Sequence, residues 1–185
     1  MSKWFNCFVK LNAKQLRKVT GNRLQGRVKK QDIHIILDNV LDTYNIGSIF
    51  RLADAVAAKK IYLCGITETP PNHRIKKASI NTTEWVDWEY AENPVDVIKD
   101  LKLKIKDLQV VAVEQSKGSV AYDKFEYRLP ICLIVGNETT GVSKEVLKIV
   151  DGIVELPMYG VNISLNVMVC LGIVLYEVIE KTHRF

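Results

Sequence analysis

Short apolar runs that stop abruptly at polar or turn residues set the strongest limit on how this chain can fold. Ile33–Leu37 ends at Asp38-Asn39, Lys60–Ile66 is broken by Thr69-Pro70-Pro71-Asn72, and Ile131–Val135 ends at Gly136-Asn137. Leu108–Glu114 and Ile153–Leu156 are runs of the same kind, and residues 85–90 can form a short strand or extended segment. Runs without a polar face read as strands buried on both sides of a sheet. Segments with helical spacing lie between them. Asn45 can cap a helix to about Ala58, with Ile46, Ile49, Phe50 and Ala53 on its core face. Asn93-Pro94 opens a helix through about Lys104, and Ser143–Val150 is a short one. From Ser164 onward the chain is apolar on several sides and reads as a final helix, capped by Ser164, that emerges into water at Glu177, Glu180 and Lys181. Strands alternating with helices predict an α/β fold, a mostly parallel sheet with helices on both faces.

At 185 residues, with 48% apolar and 25% charged content, the chain has the size and balance of one globular domain. Its longest apolar run near the C-terminus, Val167–Tyr176, is ten residues, too short to span a bilayer. No apolar leader with a small-residue cleavage site opens the chain, so no membrane association is expected. Cys7, Cys64, Cys132 and Cys170 are widely spaced, without CxxC or a nearby histidine cluster. Buried, reduced thiols in a cytoplasmic protein follow, and a metal site does not.

Charge divides the chain. Residues 1–31 carry nine Lys or Arg and no acid, which leaves 17 basic against 21 acidic residues in the other 154, a net of −4. This predicts a basic N-terminal arm at 1–31 ahead of one domain at 32–185. A polyanion is the natural partner for such an arm, because each cation near a phosphate releases a condensed counterion. A solvated run that only aids solubility is the alternative.

Ligands of parallel sheets bind beyond the carboxyl ends of the strands, which singles out Asn39–Asn45, Gly136–Gly141 and Met158–Ser164. Gly136-Asn-Glu-Thr-Thr-Gly141-Val-Ser superficially resembles a phosphate-binding P-loop, but Val142 stands where the lysine belongs, and GxGxxG is absent. In Asp42–Arg51, Gly47, Ser48, Arg51 and Ala55 share one helix face, where small residues around an arginine let a backbone or phosphate approach. In 156–166, Asn166 sits two residues into an apolar helix, where a buried amide must find partners. Each segment alone has a plain structural reading: a turn, a cap with a surface arginine, and a satisfied core amide.

Together the three resemble a known family. Asn45-Ile-Gly-Ser-Ile-Phe-Arg51, Leu133-Ile-Val-Gly-Asn-Glu-Thr-Thr-Gly-Val-Ser143 and Leu156-Pro-Met-Tyr-Gly-Val-Asn-Ile-Ser-Leu-Asn166 match, in order and separation, the motifs of SpoU/TrmH-type RNA 2′-O-ribose methyltransferases of the SPOUT class. The resemblance implies a C-terminal trefoil knot, which no periodicity reveals and which is rare among folds. It also implies S-adenosylmethionine as cofactor, a homodimer, and tRNA or rRNA as substrate, with no metal. It sets the cofactor against Val113, Glu114, Gln115, Gly136, Asn137, Leu156, Met158 and Leu165. Arg51 matches the family's catalytic arginine, and Asn45, Glu138, Ser164 and Asn166 match the positions around it. Two segments depart from the family: Val161-Asn162-Ile163 is apolar where relatives carry polar residues, and Ala78–Trp85 lacks the glycine of a Lys-Thr-Ala-Leu-Gly-Ala-like run. A non-catalytic RNA-binding module on the same fold is the rival reading.

Overall fold

The computed structural model describes residues 29–182. Nearly all of the basic arm, and Cys7 with it, lies outside the described residues. The strands are β1 Gln31–Asp38, β2 Ala58–Cys64, β3 Trp88–Ala91, β4 Gln109–Val113, β5 Val120–Ala121, β6 Ile131–Gly136 and β7 Gly152–Glu155. The helices are α1 Thr43–Ala55, α2 His73–Ser79, α3 Pro94–Lys104, α4 Lys144–Leu147 and α5 Val167–Thr182. The strands form one seven-stranded sheet in the order β3-β2-β1-β6-β4-β7-β5, and every pairing is parallel.

Side-chain alternation along the strands divides the core into two layers. Ile33, Ile35 and Leu37 of β1 pack on the side of α1, α2 and α5, against Ile46, Phe50, Ile75 and Val174. Ile36 of β1, Tyr62 of β2 and Ile134 of β6 pack on the other side, against Val97, Ile98 and Leu101 of α3 and Val146 of α4. With both faces dry, a polar alternation would leave side chains without water, which is why the runs are continuous. The chain adds β2 and β3 outward from β1, then sets β6 between β1 and β4 and β7 between β4 and β5. The change of direction opens a crevice at the strands' carboxyl ends, where doubly covered sheets bind ligands.

Several boundaries differ from the sequence reading, each for a local reason. Asp42, not Asn45, caps α1, accepting from Tyr44 N–H at 2.7 Å. The helix stops at Ala55 rather than near Ala58, because Ala57 takes φ 52° and turns the chain into β2. Helix α2 is not predicted at all. Asn72 Oδ1 caps it from Arg74 and Ile75 N–H (2.9 and 3.3 Å), but its seven residues bury only Ile75 and Ser79, too short a pattern to show a period. A 3₁₀ turn at Thr82–Glu84 delays β3 to Trp88. Helix α4 is a single turn, Lys144–Leu147, instead of Ser143–Val150. Asn166, not Ser164, caps α5, taking Met168 and Val169 N–H at 3.0 and 3.4 Å. It is therefore an exposed cap and not a buried helix-interior amide. The far end of α5 is also held: Lys181 Nζ donates to the carbonyls of Asp123 and Phe125.

Candidate active site

Strands β1 and β6 end side by side, with Asp38 in register with Gly136. The Asp38 carboxylate is fully buried and accepts from Ser143 N–H at 2.8 Å and Asn39 Nδ2 at 2.7 Å. Asn137 Nδ2 donates to the Asn39 carbonyl at 2.9 Å, while its Oδ1 accepts from Thr139 and Thr140 N–H. These bonds fasten the loop after β1 to the loop after β6. Sequence reasoning passed over Asp38 as a strand end; a carboxylate closing an apolar run was the available signal.

Glu138 projects from the β6 loop across to α1. Its carboxylate accepts from Leu41 N–H, Asp42 N–H and Asn45 Nδ2 at 3.0, 3.0 and 2.9 Å. Burial pushes its pKa up, but the N–H of Leu41, the Asn45 amide and the N–H of Asp42 outweigh that, and it lies below the ordinary range. The group therefore stays ionised, an acceptor that holds the start of α1. Since Asn45 gives its Nδ2 to Glu138, its Oδ1 faces the other way and accepts from Asn166 Nδ2 at 3.0 Å. Asn166 in turn caps α5. Each amide's orientation is thus fixed by its neighbour. A single relay, Glu138–Asn45–Asn166, ties all three resembling segments together.

Beside the relay lies a cleft of about 450 Å³. The β6 loop doubles back so closely that a Cβ on Gly136 would sit 2.2 Å from the Gly141 carbonyl carbon. Gly141 itself, at φ 71°, leaves room for the Glu114 carboxylate, which accepts from Val142 and Gln115 N–H at 2.7 and 2.9 Å. Every residue that the resemblance set against a cofactor, from Val113 to Leu165, lines this cleft, as do Glu138, Ser164 and Asn166. Glu155 and Cys170 also line it, and sequence reasoning named neither as a site residue. Cys170 is half-buried rather than buried, and burial pushes its thiol pKa up. Among the described residues the lining includes carboxylates of Glu114, Glu138 and Glu155 but no lysine or arginine.

Arg51 stands apart from the relay. It is exposed on α1, outside the cleft lining, and makes no ion pair among the described residues. The space around Gly47 admits a backbone, but that backbone is α2 of the same chain: a Cβ on Gly47 would lie 2.6 Å from Ala78 Cβ and 2.7 Å from the Ile75 carbonyl. On the α1–α2 side a shallow depression is lined by Asp42, Tyr44, Glu68, Arg74, Glu138 and Thr139. Glu138 and Thr139 also line the cleft, so they form the wall between the two recesses.

The model of the SpoU rRNA Methylase family matches residues 32–176, from the start of β1 into α5. The chain belongs to the SpoU rRNA methylase family. This SpoU chain is 38% identical over 170 residues to the tRNA (guanosine(18)-2′-O)-methyltransferase of Aquifex aeolicus (strain VF5), covering 89% of itself and 74% of that relative. Its fold is similar to the crystal structure of the A. aeolicus TrmH/SpoU tRNA modifying enzyme, with a TM-score of 0.74 and 34% identity over 91% of this chain and 81% of that one. It is similar, too, to an AdoMet-bound rRNA methyltransferase from Sinorhizobium meliloti, with a TM-score of 0.74 and 29% identity over 89% of this chain. Of that longer structure it spans 59%.

Proposed function

We propose that this SpoU methylase transfers a methyl group from S-adenosylmethionine to a ribose 2′-hydroxyl of tRNA or rRNA. The observation that carries the reading is the shared wall: one carboxylate, Glu138, borders a half-open cleft on one side and, on the other, a shallower recess that Arg74 lines together with Asp42 and Glu68. A methyl donor and a polymeric acceptor fit that arrangement, a deeper site touching a more open one.

The cleft fits the cofactor in size and charge. Its volume is in the range of small-molecule sites, and its floor of Val135, Leu156 and Met158 suits an adenine ring. Three carboxylates without a lysine or arginine suit a cation and would repel a phosphate-bearing cofactor. When bound, S-adenosylmethionine supplies a methyl group on a positively charged sulfur, activated without a metal. Val113, Glu114, Gln115, Gly136, Asn137, Leu156, Met158 and Leu165 are the residues that would hold it.

The chain's own groups then have separable tasks. Glu138, ionised, fixes Leu41, Asp42 and Asn45, and Asn45 passes that order to Asn166 and the start of α5. Ser164 borders the cleft beside Asn166 and shapes the approach to the methyl group. To Arg51 we assign the ribose: its fixed positive charge can hold the 2′-oxygen and a neighbouring phosphate in line, although a guanidinium is too weakly acidic to act as a simple base. The substrate hydroxyl loses its proton as the new O–C bond forms.

A homodimer completes the proposal. Val161 and Ile163 are exposed, as are Val169 and Tyr176 on α5, and a partner copy would cover such apolar surface. The knot expected of the family, the basic arm at 1–31 as a second hold on RNA, and a cytoplasmic location belong to the same reading. Among the described residues no helix is long and apolar enough to cross a membrane. The test is to incubate the protein with labelled S-adenosylmethionine and unmodified tRNA or rRNA, then map the product by mass spectrometry. A methylated ribose is the expected product; a methylated base, or none, overturns the proposal.

A further inference from the structure

Helix α2 carries His73, Arg74, Lys76 and Lys77, all exposed, and no acidic residue in its first turn or elsewhere along its length. Its buried side, Ile75 and Ser79, rests on α1, where Gly47 permits the close crossing. The cations therefore point outward on the side of α1 that also carries Arg51. Arg74, Lys76 and Lys77 have no ion-pair partner among the described residues; Lys106, Lys117, Lys144 and Lys148 also lack one, but only on α2 do three such cations fall within four residues of one helix. Glu68, on the same depression as Arg74, is engaged by Asn72 Nδ2 at 3.0 Å. The outer end of this ridge is Lys76-Lys77; Arg74 reaches the recess bordered by Tyr44, Glu138 and Thr139.

Clustered cations without internal acids repel one another, and that repulsion is relieved when a polyanion takes the place of their counterions. Since the body of the domain is net acidic, a cationic ridge beside the open recess is a local feature and not an overflow of bulk charge. We infer that the exposed face of α2 binds the sugar-phosphate backbone of the RNA next to the target nucleotide, with Arg74 at the recess that Glu138 borders and Lys76 and Lys77 farther along the strand. The inference rests on the ribose-methylation reading and adds to it a second RNA contact, on the body of the domain and separate from the N-terminal arm. Phosphate contacts of this kind position a substrate without reading its sequence.

The test uses the full chain and a fluorescein-labelled, unmodified tRNA transcript. Binding by anisotropy is measured across a salt series for the wild type, for Lys76→Ala/Lys77→Ala and for Lys76→Arg/Lys77→Arg. The alanine pair is expected to bind at least about tenfold more weakly near 0.1 M salt, with a salt slope shallower by about 1.4–1.8. The arginine pair is expected to keep both values. S-adenosylmethionine affinity by calorimetry stays at the wild-type value, and the loss in methylation falls on the KM for RNA. A Lys76→Glu/Lys77→Glu pair deepens the defect. If the alanine pair keeps wild-type affinity and slope, α2 is no RNA surface, whatever the activity. If the wild type binds through α2 yet methylates no RNA, the surface stands and the proposed reaction falls.

Discussion

Helices α2 and α3 are built alike at their ends and differ in what surrounds their lysines. An asparagine caps each, and lysines occupy the last turn of each. On α3, Lys99 pairs with Asp96, Lys104 with Asp100 and Lys102 with Asp151. On α2, Lys76 and Lys77 have no such partners among the described residues. The helices also cover opposite faces of the sheet. All three lysines of helix α3 are thus neutralised. The α2 face leaves cations uncompensated beside the shared Glu138 wall, as a surface does that is completed by a partner.

The largest expected effect on the α2 face is at Arg51. Arg51→Ala should lower methyl transfer by roughly 10²–10³-fold while S-adenosylmethionine affinity, read by calorimetry, stays close to that of the wild type. Full activity would move the reacting centre away from α1.

The α3 side has its own sensitivity, to acid. His34 of β1 is 4% exposed, stacked on Tyr62, and its Nε2 has no partner among the described residues. Burial, reinforced by Lys59, lowers its pKa to about 4. Between pH 4 and its ordinary 6.5 the unfolded chain binds the proton and the folded one does not, so stability falls as pH drops through that window. The loss is roughly 3 kcal/mol at full extent. His34→Leu should flatten the pH dependence of chemical denaturation there; an unchanged slope would assign the acid sensitivity to carboxylates.

A smaller change is expected where α2 ends. Ile80 and Asn81 take φ of 51° and 68°, a left-handed pair in which a β-branched residue is strained. Ile80→Gly should raise the stability by about 1 kcal/mol. A fall in Tm would mean that the half-buried Ile80 side chain contributes more than the turn costs. The smallest effect belongs to α3: Lys102→Ala should shift stability by no more than about 0.5–1 kcal/mol and leave tRNA affinity intact. A loss of RNA binding there would erase the contrast between the two faces.

The parallel sheet was legible because both of its faces are dry, which leaves continuous apolar runs such as Ile131–Val135 in the sequence. Asn45, Glu138 and Asn166 were legible only through the resemblance of their segments. The bonds that join them were not, since spacing along a chain says nothing about which amide meets which carboxylate across 93 or 121 residues. Helix α2 escaped notice because Pro70-Pro71 reads as a break and seven residues give one buried turn; Asn72, an available cap, was the overlooked signal. Capping by Asp42 and Asn166 was displaced onto Asn45 and Ser164, because several residues in a row could serve and only the backbone angles choose among them.

The crossing at Gly47 has one more consequence. At Gly47 no side chain separates α1 from α2, so the α1 backbone meets Ala78 Cβ and the Ile75 carbonyl of α2 directly. The close contact holds the α2 cations and Arg51 of α1 on one packed pair of helices. On the proposed RNA path, a strand gripped along α2 would meet Arg51 at a distance set by this helix pair rather than by the identity of its bases.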